Sequence, residues 1–350
     1  MRILNVADFN WMTGAERHKA NLSLFDIRRK FTLAAGRADH LVVEFSDRAV
    51  ARTAPPLRRA RTVDRRFLQM VDAVRPDLIL LHFADEVSNR ALREARALAP
   101  GVIIADINID PIDTAKNRRR LGSRRGFADA LFVTTAEPTL GVHAGPGAFA
   151  AYLPNPVDRA IETGRGFENE TPAFDVLLPA GGEAPREIGG ERLSPGEAVA
   201  RLTAAVPGLR VSTPGNGGQA AVSGYRYFEA LGSARAGWSL SRRAGLPLYA
   251  SDRMAHFFGW GLAVLLDRRA GLERFYGDDE AVFHNDLEGL AAGVRGLLAD
   301  DAAARDLARR GWEKTWALFD SGRVLAYVMA QLFDEGGAKA YEWPCERWGS

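Results

Sequence analysis

The sequence predicts an α/β protein built from two doubly wound domains. Short apolar runs typical of buried strands alternate with amphipathic helical stretches along the whole chain. A Pro/Gly/Glu-rich stretch interrupts this alternation once, and 350 residues exceed what one hydrophobic core usually organises. We expect a first domain over residues 1–158, a linker over 159–173, a second domain over 174–323, and a C-terminal helix and tail over 324–350 that pack back on the first domain.

Within the first domain, the apolar runs predict a parallel sheet with helices between its strands. Arg75-Pro76 ends one helix, because a proline disfavours helical geometry in the residue before it. The predicted strands are 1–8, 40–45, 77–82, 101–107, 127–134 and 149–153, and the predicted helices are 13–29, 63–74 and 85–98.

The second domain repeats the pattern, and its segment 238–283 is the most informative of the chain. An Arg/Ser/Tyr-rich loop leads into an apolar helical turn that closes on Gly259 and Gly261, followed by a buried strand and a turn at Gly271. Such a loop–helix–strand unit directs backbone N–H groups and arginines at a phosphate. The predicted strands are 174–179, 209–211, 235–240, 261–266 and 281–283; the predicted helices are 287–298, 302–318 and 324–334.

Composition limits the class of protein and its setting. A net charge of +2 is too small to indicate nucleic-acid binding. The single cysteine, Cys345, rules out an internal disulfide, and neither a signal-peptide pattern nor a membrane-length apolar run is present. We therefore expect a cytoplasmic protein. Arginine clusters at 58–66 and 118–125 indicate either solvated helix faces or contact with an anionic membrane or acidic glycan.

Several motifs, in this order, resemble those of a known enzyme family. They are TGAERH at 13–18, PDLILLH at 76–82, FADALFVTT at 127–135, LPNPVD at 153–158, LSR at 240–242, SDR at 251–253 and GLE at 271–273. Together they resemble GT-B-fold glycosyltransferases of the "glycosyl transferases group 1" grouping, near its CgeB-like branch. The resemblance implies two Rossmann-like domains facing a cleft, with a nucleotide-sugar donor on the second domain and an acceptor on the first.

The resemblance also implies roles for individual residues. Arg242 and Arg253 are expected to take up the charge of the departing diphosphate, without a metal ion. His82 and Asp8 are expected near the acceptor, where Asp8, Glu16 and Asp85 are alternative general bases and His82 is alternatively structural. The remaining donor-side candidates are Gly14, Arg186, Ser241, Tyr249, Ser251, Asp252, His256, Gly271, Leu272 and Glu273.

Some of these residues have a second interpretation. Asp252 is alternatively a helix N-cap, Glu273 a helix cap, and Tyr249 a core residue. The family commonly has a glutamate at the position of His256 and sometimes a second one at the position of Leu248. Their absence leaves the stereochemical outcome open, and His256 is expected to keep one hydrogen bond to the donor ribose.

The expected activity is transfer of a sugar from a nucleotide diphosphate to a glycan or lipid-linked acceptor, in surface-polysaccharide or lipopolysaccharide synthesis. A sugar-nucleotide 2-epimerase and a non-catalytic binding or scaffold protein are the alternatives. Residues 106–110 (DINID) lack the glycine and terminal glutamate of a calcium loop, so no metal site is expected. We expect no cofactor, no nucleic-acid partner, and peripheral contact with the inner face of a membrane.

Overall fold

A computed structural model describes residues 1–9, 25–112, 114–180 and 182–349. The chain divides into two compact units. Unit 1 comprises Met1–Pro156 together with Ser321–Ser350, and unit 2 comprises Val157–Asp320. Each unit is an α/β layer structure around its own parallel sheet, as the sequence predicts.

Unit 1 contains a seven-stranded sheet in the order β14-β6-β5-β4-β3-β1-β2, in which only β14 is antiparallel to its neighbour. The strands are β1 Arg2–Ala7, β2 Leu41–Ser46, β3 Leu78–His82, β4 Ile103–Asn108, β5 Ala130–Val133, β6 Phe149–Tyr152 and β14 Trp348–Gly349. The helices are α1 Ile27–Arg37, α2 Asp47–Thr53, α3 Arg59–Val74, α4 Asn89–Leu98, α5 Ala115–Gly122, α11 Ser321–Phe333 and α12 Glu335–Ala338. Chain order reverses between β1 and β3.

The core of unit 1 follows from its apolar pattern. Strand β3 is buried along its whole length, as expected for a central strand covered on both faces. Helix α3 buries Val63, Phe67 and Val71, which recur every four residues and so lie on one helix face. Helix α11 belongs to the same unit, and its Tyr327 hydroxyl donates to the carbonyl of Tyr152 at 3.0 Å.

Unit 2 contains a five-stranded parallel sheet in the order β10-β7-β11-β12-β13, and a separate antiparallel hairpin of β8 and β9. The strands are β7 Phe174–Leu177, β8 Arg186–Ile188, β9 Glu191–Leu193, β10 Val211–Ser212, β11 Ala234–Trp238, β12 Ala263–Asp267 and β13 Val282–His284. The helices are α6 Pro195–Ala205, α7 Tyr225–Gly232, α8 Asp252–Gly259, α9 Leu287–Ala299 and α10 Asp301–Phe319. Chain order reverses between β7 and β11.

Several elements were not predicted from the sequence, namely α2, α5, α6, α7, α12, β14 and the β8–β9 hairpin. The start of α6 does carry a sequence signal, because Ser194 and Glu197 form a reciprocal capping box around Pro195. Most of the predicted helix 13–29 lies outside the described residues; the helix that the structure describes begins at Ile27. Over the described ranges, no helix is both long and apolar enough to cross a membrane.

Candidate functional site

The candidate site of unit 2 centres on Arg253, at the carboxyl edge of the sheet. Its guanidinium donates from Nη1 to the carbonyl of Pro179 and from Nη2 to the carbonyl of Leu240, both at 3.0 Å. Pro179 follows β7 and Leu240 follows β11, the two strands between which chain order reverses. In open α/β sheets, ligands bind outside the carboxyl ends of the strands at such a reversal. Arg253 therefore marks the expected ligand position.

The positive charge of Arg253 has no carboxylate partner among the residues that the structure describes. Burial lowers the pKa of its guanidinium, and the nearby Arg242 lowers the pKa further. An arginine nevertheless stays protonated at neutral pH. A partly buried cation held only by neutral carbonyls is the arrangement that an anionic ligand would complete.

Helix α8 begins at this same edge. Ser251 is its N-cap, although its hydroxyl is buried and makes no hydrogen bond. Asp252 is the first helical residue, so the alternative prediction that Asp252 is the N-cap is wrong. The N-terminus of a helix carries partial positive charge, which adds to the charge of Arg253.

Close packing fixes α8 against the sheet. A Cβ atom on Gly237 of β11 would lie 2.3 Å from Cγ of Phe257, so only glycine permits this approach.

On the inner side of α8, Nδ1 of His256 lies 2.6 Å from Oε1 of Glu162, and both side chains are fully buried. The other carboxylate oxygen of Glu162 accepts from the backbone N–H of Asp158 at 2.7 Å. This burial contradicts the expected contact of His256 with a ribose, because the ring has no exposed surface.

A cavity lies beside Arg253 at the same sheet edge. Three predicted donor residues, Ser241, Tyr249 and Leu272, line it together with the ends of β11, β12 and β13. Its full lining is Glu187, Trp238, Ser239, Leu240, Ser241, Arg243, Ala244, Tyr249, Leu266, Asp267, Ala270, Leu272 and His284.

Part of the cavity wall is a charge network that was missed from the sequence. Arg269 pairs with Glu187 at 2.9 Å and with Asp267 at 2.7 Å, joining the β8–β9 hairpin to the end of β12. Glu187 also accepts from the backbone N–H of Ala244. The only available signal was that Asp267 and two arginines directly follow a predicted strand.

Two buried polar groups of the wall have no hydrogen-bond partner among the described residues. They are Nε1 of Trp238 and both ring nitrogens of His284. Burial lowers the pKa of His284 to about 4, so its ring is neutral at pH 7 and offers one donor and one acceptor. Buried polar groups normally find a partner, which makes these atoms candidates for contact with a polar ligand.

The remaining donor candidates of unit 2 occupy varied positions. Arg242 is exposed and has no hydrogen bond or ion pair within the described residues. Arg186 lies on β8, opposite Leu193, rather than in a phosphate-binding turn. Gly271 has φ +70° and precedes the short turn Leu272–Arg274. Glu273 makes no cap and pairs with Arg268 at 3.3 Å, so the cap interpretation is wrong.

The first-domain candidates lie at the carboxyl edge of the unit 1 sheet. Asp8 follows β1, is buried, and pairs with Arg52 at 2.6 Å. His82 ends β3 and is only 1% exposed, and neither ring nitrogen has a hydrogen-bond partner within the described ranges. Burial lowers its pKa to about 3, so it is neutral at pH 7. Asp85 is exposed and pairs with Arg48 and Arg120. Gly14 and Glu16 lie outside the described residues.

No metal site emerges from the part of the chain that the structure describes, where His, Cys, Asp and Glu form no group of three or more. Asp106 of the DINID run is buried in β4, and this burial raises its pKa to about 6.

Comparison with known proteins bears on the fold and on the second half of the chain. Residues 194–330, less than half of the chain, match the family model described as "Glycosyl transferase-like". No curated protein matches the chain.

Solved structures share the fold at low sequence identity. HepE of Anabaena, solved with UDP and glucose, has a TM-score of 0.57 at 13% identity over 95% of this chain and 99% of its own. Sucrose-phosphate synthase of Thermosynechococcus elongatus has a TM-score of 0.59 at 14% identity over 97% and 100%. An alpha-glucosyltransferase solved with UDP-glucose and DNA has a TM-score of 0.62 at 11% identity over 94% and 98%.

The matched structures confirm the predicted fold class, and the family model covers Arg253 and every cavity-lining residue except Glu187. The CgeB-like branch is not confirmed. The chain thus has the GT-B fold, and residues 194–330 of it match the glycosyl transferase-like family model.

Proposed function

We propose that the protein is a glycosyltransferase that moves a sugar from a nucleotide diphosphate to a glycan or lipid-linked acceptor. The observation that carries the proposal is Arg253, a partly buried cation at the strand-order reversal of unit 2 that has no carboxylate partner in the described parts of the chain. As the sugar–oxygen bond breaks, the departing diphosphate gains negative charge, and a preorganised cation stabilises that charge.

The diphosphate and the nucleoside of the donor each have a counterpart in unit 2. The diphosphate binds at Arg253 and the N-terminus of α8, and the exposed Arg242 closes on it from solvent. In this proposal, polar atoms of the nucleoside pair with Nε1 of Trp238 and with the ring nitrogens of His284, which have no hydrogen-bond partner among the described residues. HepE and the alpha-glucosyltransferase, both similar in fold, were solved with UDP or UDP-glucose, which makes UDP the first nucleotide to test.

The acceptor binds at the carboxyl edge of the unit 1 sheet, in this proposal. Asp8 and Asp85 are the candidate bases there, and both already pair with arginines. We place the reaction in the cytoplasm and in surface-polysaccharide or lipopolysaccharide synthesis; the single cysteine fits a reducing compartment.

A direct test incubates the purified chain with a library of UDP, GDP and CMP sugars, each with and without candidate glycan and lipid-linked acceptors. Mass spectrometry then detects transfer. Product that requires both donor and acceptor supports the proposal, and an isomerised nucleotide sugar formed from donor alone would replace it with an epimerase. Binding of every nucleotide without turnover on any acceptor would instead favour a scaffold protein.

We also propose that no divalent metal takes part, because Arg253, Arg242 and the helix N-terminus supply the positive charge. Activity that survives dialysis against EDTA is the expected result. Activity that is lost in EDTA and restored by Mg²⁺ or Mn²⁺ would contradict this part of the proposal.

A further inference from the structure

A groove crosses the surface of unit 1 between α2, α3 and the end of β2, far in sequence from the donor residues. Its apolar lining includes Phe45, Val50 and Met70. Three arginines, Arg58, Arg65 and Arg66, also line it. We refer to it as the α2–α3 groove. Its lining is thus amphipathic, with aliphatic and aromatic surface beside guanidinium groups.

An exposed leucine lies in the chain between two residues that line this groove. Leu57, in the short turn Pro56–Arg58, is 100% exposed. A single exposed apolar residue needs no explanation by itself. Leu57, however, directly precedes the groove residue Arg58 and comes two residues after the groove residue Pro55. The turn that carries this exposed apolar side chain is therefore adjacent in sequence to the groove lining.

The positive charge around the groove is not neutralised by the described residues. Arg58, Arg61 and Arg65 are exposed and have no ion pair or hydrogen bond there. Asp64, also on α3, is buried and accepts from Ser88, and Glu86 pairs with Arg59 rather than with any of these three arginines.

The spacing of these arginines sharpens the argument. Arg61 and Arg65 lie four residues apart on α3, where like charges repel and weaken a helix slightly. The arrangement is therefore unfavourable for the isolated unit and becomes favourable when an anion approaches.

We propose that the α2–α3 groove binds the surface of an anionic lipid bilayer. Lipid phosphates contact Arg58, Arg61 and Arg65, while Leu57 and the apolar lining of the groove meet the acyl chains. Basic helices with an apolar contact bind anionic membranes in this way. A soluble polyanion such as nucleic acid or an acidic glycan would use the arginines but leave Leu57 and the apolar lining without a partner.

The test measures co-sedimentation of the full chain with vesicles at about 0.1 M salt, where exposed charges still act over about 10 Å. One set of vesicles is phosphatidylcholine alone, and the other is an equimolar mixture with phosphatidylglycerol. The first variant combines Arg61→Ala with Arg65→Ala, and the second is Leu57→Ser. The matched control combines Arg192→Ala with Arg226→Ala, two exposed arginines of unit 2 without partners in the described structure.

We expect the native chain and the control to bind only the anionic vesicles. The arginine variant should bind roughly 30-fold more weakly, at about 1 kcal/mol per arginine near such a surface. Leu57→Ser should also weaken binding while leaving its dependence on salt unchanged, because no charge is removed.

The proposal fails if the native chain ignores anionic vesicles, or if the arginine variant and its control bind equally well. It also fails if duplex DNA or heparin binds the native chain as tightly as the vesicles and Leu57→Ser has no effect. Protection from heat unfolding by UDP should be the same in all four proteins. That readout separates a failure of the membrane proposal from a failure of the donor-site proposal.

Discussion

Replacing Arg253 by methionine removes the cation at the proposed diphosphate site while keeping an unbranched stem of similar length. In the native chain, two N–H donors of the guanidinium hold Pro179 and Leu240, which leaves its other donors for a ligand. A hydrogen bond to a charged group contributes about 1.5–3 kcal/mol. Losing one such contact should weaken UDP binding roughly 10- to 100-fold.

The same substitution should lower stability, because it leaves the carbonyls of Pro179 and Leu240 without their donor. We expect a loss of about 1–3 kcal/mol in the free energy of unfolding. Binding must therefore be measured well below the unfolding temperature. Arg253→Lys keeps the charge but not the planar fork, so its loss of affinity should be smaller.

Isothermal titration with UDP is the assay, and Arg226→Ala is the control because Arg226 is an exposed arginine of α7 without a partner in the described structure. The control should bind UDP like the native chain. If Arg253→Met is folded, as judged by circular dichroism, and its affinity for UDP stays within about twofold of native, the diphosphate does not contact Arg253 and the reasoning is refuted.

Four further predictions follow from named contacts. Arg242→Ala should weaken UDP binding about 10-fold yet change the free energy of unfolding by less than about 0.5 kcal/mol, since its side chain is exposed. A loss of unfolding free energy as large as the loss of binding free energy would contradict a ligand role. Gly237→Ala should lower the free energy of unfolding, measured in urea, by about 1–3 kcal/mol and weaken UDP binding, because the added Cβ would displace Phe257 and with it α8. No change in either quantity would show that the packing relaxes around the added Cβ. Glu162→Ala should lower the free energy of unfolding, measured in urea, by about 3 kcal/mol, because it removes a buried partner of His256. A decrease below about 1 kcal/mol would count against an interaction between the two side chains. Burial lowers the pKa of His82 to about 3 in the folded chain, against about 6.5 in the unfolded chain, so the unfolded chain binds more protons between these values and stability falls as the pH drops through that window. The difference in unfolding free energy between native and His82→Phe should therefore change by about 2 kcal/mol from pH 7 to pH 5. Parallel curves of stability against pH for the two proteins would refute this prediction.

Strong apolar periodicity made most strands and the long C-terminal helices predictable. Strand β3 and helix α10 are clear examples, since their burial patterns are already visible as sequence patterns. The short helices α2 and α5 were missed because arginines fill their exposed faces and few apolar residues mark a buried one. The hairpin of β8 and β9 has strands of three residues, too short to show an alternation.

The positions of candidate site residues in helices and strands could be predicted where a motif fixes the backbone. Their contacts could not be predicted where these depend on the direction in which a side chain points. The SDR motif correctly placed Ser251 and Arg253 at the start of a helix. It could not show that His256, one turn further, faces inward to a buried glutamate that lies far away in sequence. Likewise, Glu187 and Arg269 meet across the fold, and neither residue carries a local sign of the other.

The most direct test of the central claim is a crystal structure of the chain with bound UDP. We predict diphosphate oxygens within hydrogen-bond distance of the Arg253 guanidinium, at the carboxyl ends of β7 and β11. UDP bound elsewhere on unit 2, with that guanidinium still contacting only the carbonyls of Pro179 and Leu240, would contradict the claim.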